Sequence, residues 1–119
     1  LIARVIGLGL TMLALAPPAY AHAFLERASP PVGSEVTASP QRVTLTFTEG
    51  VEPSFSTIEV RDPQGVPVAT GKPRADPNNN RKLVVELPAL HSGRYTVIWH
   101  VTSVDTHKTE GRFQFTVAP

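Results

Sequence analysis

Apolar and polar residues alternate along most of this chain, and proline, glycine and asparagine cut the alternating runs apart. Val43, Leu45 and Phe47 alternate with Thr44, Thr46 and Thr48. Ile58 and Val60 follow, then Val66 and Val68 beyond the turn signal Asp62-Pro63-Gln64-Gly65. Leu83, Val85 and Leu87 form another set, and Tyr95, Val97, Trp99 and Val101 the longest. Phe113, Phe115 and Val117 close the series, while Ala23 to Ala28 reads as a weaker first strand. Side chains two apart in a strand share a face, so each set marks a strand with one buried side. Beyond residue 21, no window of ten or more residues has a helical period. Pro30 to Ser34, Ser39-Pro40 and Arg74 to Asn80 read as loops from their breaker content. About seven short strands predict an all-β fold, an immunoglobulin-like Greek-key β-sandwich. Leu90 to Tyr95 resembles a tyrosine corner, with the Tyr95 hydroxyl bonding back to the corner backbone. Trp99 is expected in the core.

The first residues follow a different pattern. Arg4 is the only charge before a short apolar run, Ile6 to Ala16, which Pro17-Pro18 break. Ala19-Tyr20-Ala21 then presents small residues at the spacing of a signal-peptidase site. The apolar run is well short of the roughly 20 residues a bilayer span needs. Residues 1–21 are therefore expected to be a cleaved signal peptide, and residues 22–119 one free-standing exported domain. Ala21-His22-Ala23 is also a small-x-small site, so the sequence rules leave cuts after Ala21 and after Ala23 both open. Loss of Arg4 leaves ten Lys and Arg against ten Asp and Glu. That balance gives no support for nucleic-acid binding or a polybasic membrane contact.

A cut after Ala21 exposes His22 as the first residue. Its free α-amine and its ring Nδ1 can then close a chelate on one metal ion. There is no cysteine, and the single methionine, Met12, lies in the leader. Any metal must be held by nitrogen and oxygen. The final hairpin carries Asp105 and His107, two apart, which an extended segment would project to one side. A solvated loop in which Asp105 caps a turn accounts for that spacing equally well. His91 is expected on a surface loop, and His100 on the outward face of a strand.

Taken together, these segments resemble the CopC family of periplasmic copper-binding proteins. The resemblance covers essentially all of 22–119. It rests on His22-Ala23-Phe24-Leu25, Ser29-Pro30-Pro31-Val32-Gly33 and Val43 to Glu49, and on Gly93 to Trp99, Ser103 to His107 and Gly111 to Val117. It implies a β-sandwich that binds one Cu(II), with the ligands on the His22 amine and imidazole, Asp105 and His107. Glu49 matches a family acid near that site and is expected as an outer partner of the ligands. The resemblance also favours the cut after Ala21. The donor set suits the metal, because Cu(II) prefers tetragonal nitrogen and oxygen donors and heads the divalent affinity order. Ca²⁺ and Mg²⁺ want oxygen shells instead. Zn²⁺ is expected to bind more weakly. Some family members add a methionine-rich Cu(I) site. The matching stretch here, about Val60 to Lys72, has no methionine, so a Cu(II)-only protein is expected. Gly50 and Lys108 replace a proline found in many relatives, an exchange expected to loosen those turns.

The implied function is a carrier, buffer or donor in copper homeostasis and resistance, with no covalent chemistry. Its implied partner is an inner-membrane copper transporter of the CopD type. Copper binding should weaken in acid, because free imidazole titrates near ~6.5 and an α-amine near ~7.7–8.0. Two other readings are weighed. A histidine-brace copper oxidase or monooxygenase also uses an N-terminal histidine with a second one. Against it, the chain is small and Asp105 would fill a position that oxygen activation needs open. No polysaccharide is expected as a partner, because Trp99 belongs to the core. The other is a metal-free immunoglobulin-like binding module, which gains weight if the mature chain begins at Phe24.

Overall fold

The computed structural model describes residues 22–70 and 72–119. The expected leader, 1–21, lies outside the described residues. Strands β1 (Leu25–Ser29), β2 (Glu35–Val36) and β3 (Arg42–Phe47) come first. A one-turn 3-10 helix at Pro53–Phe55 precedes β4 (Thr57–Arg61) and β5 (Pro67–Ala69). Then follow β6 (Arg74–Asp76), β7 (Asn79–Glu86), β8 (Gly93–Thr102) and β9 (Lys108–Val117). One sheet has the order β1-β3-β7-β6 and the other β2-β9-β8-β4-β5. The chain changes sheet after β1, β2, β3, β5 and β7, so neighbours such as β3 and β7 are distant in sequence. That is the non-consecutive pairing of a Greek-key sandwich.

All seven anticipated sets lie on or directly beside strands, and two short strands come in addition. The first is β2, which runs parallel to the end of β9 through Glu35↔Thr116 and Val36↔Val117. Two residues show no periodicity, so nothing in the sequence marks it. The second corrects the loop expected over Arg74 to Asn80. That segment is a hairpin, with Arg74↔Val84 and Ala75↔Leu83 paired across a tight turn. The turn is made by side chains copying backbone bonds. Asn78 N donates to Asp76 Oδ1 (2.8 Å) and Arg81 N to Asn79 Oδ1 (3.0 Å). Its Asp, Pro and Asn are breakers only at the turn itself.

The core is the sum of the inward faces. Val43, Leu45 and Phe47 of β3 meet Ile58 and Val60 of β4, and Val97, Trp99, Phe113 and Phe115 of β8 and β9. Trp99 is buried, with Phe47 against it edge-on at 5.2 Å between ring centres and 72° between planes. Trp99 pairs with Gly111 across the β8–β9 ladder, so no side chain stands beneath the indole. Tyr95 donates its hydroxyl to the His91 carbonyl at 2.8 Å, closing the expected corner. Burial pushes the Tyr95 phenol pKa up, and the Asp62 carboxylate adds to that. Among the described residues, no helix is long and apolar enough to cross a membrane.

Candidate metal centre at the end of the sandwich

Three segments meet at one end of the molecule. The first is the entry to β1. Ala23 is fully buried, and its carbonyl accepts a hydrogen bond from the Thr109 hydroxyl at 2.6 Å. Phe24 N donates to Thr48 Oγ1 at 3.0 Å, and Thr48 N donates to the Phe24 carbonyl at 2.8 Å. The Thr48 hydroxyl in turn donates to the His22 carbonyl at 3.3 Å. Residues 22–24 are thus tied to the fold before the first strand begins.

The second segment is the connection after β3. Val51 forms an isolated antiparallel bridge with Ser103, and Val104 N donates to the Gly50 carbonyl at 3.0 Å. Val51 N also donates to the Asn80 carbonyl at 2.9 Å. Gly50 lies in this crossing, where a Cβ would stand 2.6 Å from Asn80 Nδ2 and 3.2 Å from Val104 Cγ1. The turn expected to be loosened by glycine is therefore closely packed and bonded on both sides. Glu49 is exposed next to it.

The third segment is the β8–β9 loop, Ser103 to His107. Asp105 and His107 do come together, with Asp105 Oδ1 3.2 Å from His107 Nδ1. The reason differs from the alternation expected of an extended segment. β9 begins only at Lys108, and the loop is a turn in which Thr106 has a φ of 74°. The reversal at Thr106, in the left-handed region, brings the two side chains together. Ser103 organises the turn from inside. It is buried, its N–H donates to the His107 carbonyl at 2.8 Å, and its Oγ accepts from His107 N at 3.1 Å. The Ser103 hydroxyl also donates to Asp105 Oδ1. That bond holds the Asp105 carboxyl below the usual aspartate range. Lost hydration opposes the shift and His107 reinforces it.

The first and third segments meet through their imidazoles. The His22 ring stacks on the His107 ring with centres 4.8 Å apart and planes 19° apart. Two imidazoles and a carboxylate therefore stand together. Among the described residues, no three His, Asp or Glu side chains form a ready metal cluster. The further nitrogen a chelate needs is His22 N, which is an amide while Ala21 precedes it. His91 and His100 lie elsewhere. His91 is exposed at the tyrosine corner, and His100 Nε2 meets Glu110 Oε2 at 2.8 Å on the outward sheet face. A surface hollow of about 490 Å³ lies on that same outward face, lined by Thr57, Glu59, Arg61 and His100 among others.

The CopC domain model matches residues 25–118. The chain belongs to the CopC family. Membership places it among copper resistance and transport proteins. It is similar to Protein YobA of Escherichia coli K12, at 40% identity over 109 residues, 91% of this chain and 88% of that protein. The crystal structure of CopC from Methylosinus trichosporium OB3b matches with a TM-score of 0.79 at 40% identity, over 82% of this chain and 95% of that one. PcoC, a methionine-rich copper resistance protein from Escherichia coli, matches with a TM-score of 0.73 at 30% identity, over 82% of this chain and 99% of that one. This CopC-family chain differs from PcoC in having no methionine after Met12.

Thr48, Ser103 and Thr109 were not singled out from the sequence. For Thr109 a signal exists. It precedes Gly111, Phe113, Phe115 and Val117 at period two, so a hydroxyl points inward where the pattern calls for an apolar group. Such a group needs a partner, and its partner is the Ala23 carbonyl. Ser103 and Thr48 lie at strand ends, where no periodicity speaks for them.

Proposed function

We propose that the mature chain, beginning at His22, is a periplasmic Cu(II) protein that carries, buffers or donates copper. One Cu(II) per chain would be held by the His22 amine and ring, the His107 ring and the Asp105 carboxylate, with Glu49 outside them. The observation that carries this reading is the stacked His22–His107 pair with Asp105 against His107, at the end where residue 22 is tied down. The donor chemistry supports it, since amine, imidazole and carboxylate suit Cu(II) and no sulfur donor follows residue 21. Copper is cargo here, so the chain's work is to bind and release it. Ser103 bonds the Asp105 carboxylate and fixes the loop, which lowers the ordering cost of binding. An inner-membrane transporter of the CopD type is the partner inferred from the family.

A competition titration of Cu(II) into mature protein tests the reading, with intact mass fixing the first residue and the stoichiometry. One equivalent should bind, and His22→Ala and His107→Ala should each lose most of the affinity. Stoichiometric binding that survives unchanged in both variants refutes it. Substrate oxidation well above a free-copper control would instead favour an enzyme.

A further inference from the structure

Terminal residues of a domain are poorly ordered unless something ties them down. For a chain whose first residue is to be a ligand, that tie decides how well the site is formed. Here, beside the backbone bond from Thr48 N to the Phe24 carbonyl, it rests on the hydroxyls of two threonines, one from each sheet. Thr48 directly follows β3, and Thr109 is the second residue of β9. The Thr48 hydroxyl accepts from Phe24 N (3.0 Å) and donates to the His22 carbonyl (3.3 Å). The Thr109 hydroxyl donates to the carbonyl of the residue between them, Ala23, at 2.6 Å. The Ala23 methyl is fully buried. Three consecutive residues are thus gripped from both layers of the sandwich, and His22 has only its own torsions left to adjust.

We propose that Thr48 and Thr109 are positioning residues, a clasp on residues 22–24 that sets where the His22 amine and ring stand. Neither hydroxyl is a ligand in the copper reading. Their action is through the backbone of 22–24, and the copper arm of the test below rests on that reading. The clasp also makes residues 22–24 part of the folded domain, consistent with processing before His22 rather than before Phe24. A freed terminus spends time away from Asp105 and His107, and apparent affinity falls by the fraction of time it is correctly placed. Loss of one neutral hydrogen bond corresponds to about 2- to 10-fold in that equilibrium.

The experiment uses mature protein beginning at His22, with Thr48→Val and Thr109→Val singly and together, and Thr48→Ser and Thr109→Ser as hydroxyl-retaining controls. A metal-free arm follows aminopeptidase removal of His22 by intact mass. A second arm measures Cu(II) affinity and the Cu(II) electron paramagnetic resonance spectrum. Each valine variant should trim about 2- to 10-fold faster and bind Cu(II) about 2- to 10-fold more weakly, with one Cu(II) species becoming several. The serine variants should stay near wild type. Unchanged trimming and affinity in the double valine variant overturns the clasp. So does a serine variant that trims as fast as its valine counterpart, since damage to packing would then be the cause. If wild type takes up no Cu(II), the copper reading falls and the trimming comparison alone decides the clasp.

Discussion

An alanine at position 111 would place its methyl carbon 2.5 Å from Cζ2 and 2.9 Å from Cε2 of Trp99. Ordinary carbon contacts are about 3.5–4.0 Å, so the indole would have to move by roughly 1 Å. It has little room to do so. Phe47 stands edge-on to it at 5.2 Å, and Phe47 is itself fully buried. Overpacking of this kind costs about 1–3 kcal/mol. The backbone at Gly111 is not in the left-handed region, so alanine should recover about 0.4–1 kcal/mol through the unfolded chain. Two ring atoms are approached closely, which puts the clash in the upper part of its range, for a net loss of about 1–2 kcal/mol. In a domain of this size that lowers the thermal midpoint by about 4–16 °C. Trp99 is the only tryptophan, so its emission follows both the melt and the local repacking. Trp99→Phe removes the ring atoms that the methyl meets, and Gly111→Ala should lose most of its effect on that background. A midpoint within about 2 °C of wild type, or an equal loss on both backgrounds, refutes the reasoning.

Three further outcomes are expected. The Tyr95 phenol has a raised pKa in the folded state, so its contribution to stability is complete below the unfolded value near ~10 and is lost as pH rises through the folded one. In protein beginning at His22, where Tyr95 is the only tyrosine, urea midpoints should fall on that alkaline side in step with phenolate absorbance. Tyr95→Phe should cost about 0.5–1.5 kcal/mol at neutral pH by losing the bond to His91, and should remove this alkaline component. A chain beginning at Phe24 loses the fully buried Ala23 methyl and the Thr109 bond, and chemical denaturation should show a loss of about 1–3 kcal/mol along with the copper site. Ser103→Ala removes the hydroxyl that bonds Asp105 and accepts from His107 N. Cu(II) affinity should fall by about tenfold in a competition titration, and Asp105 should titrate higher by NMR.

How much was legible in the sequence depends on whether the deciding physics is local. Side-chain direction in a strand alternates by geometry alone, so the sets at Val43, Tyr95 and Phe113 carried their strands and their buried faces with them. The tyrosine corner is likewise a contact over four residues, closed by the chain next to it. The two-residue β2 was not legible, because its pairing with the end of β9 is its only cause. The run from Arg74 to Asn80 misled because turn residues were read as a loop while their flanks pair with β7.

The same division runs through the candidate site. The sequence by itself determined the donors on offer: nitrogen and oxygen only after residue 21, a histidine directly behind a small-residue cleavage motif, and an acid and a second histidine two residues apart. Tertiary structure decided the rest. Nothing local tells His22 to lie on His107, at the other end of the chain. That contact exists because β1 pairs with β3, β8 pairs with β9, and the two sheets close over one core. Nor does the spacing of Asp105 and His107 explain their meeting, since a left-handed turn at Thr106, held by Ser103, replaces the extended segment that spacing suggests. A side chain's identity is a property of its own position. Its partners depend on which distant strands burial brings together, and only the folded sandwich settles that.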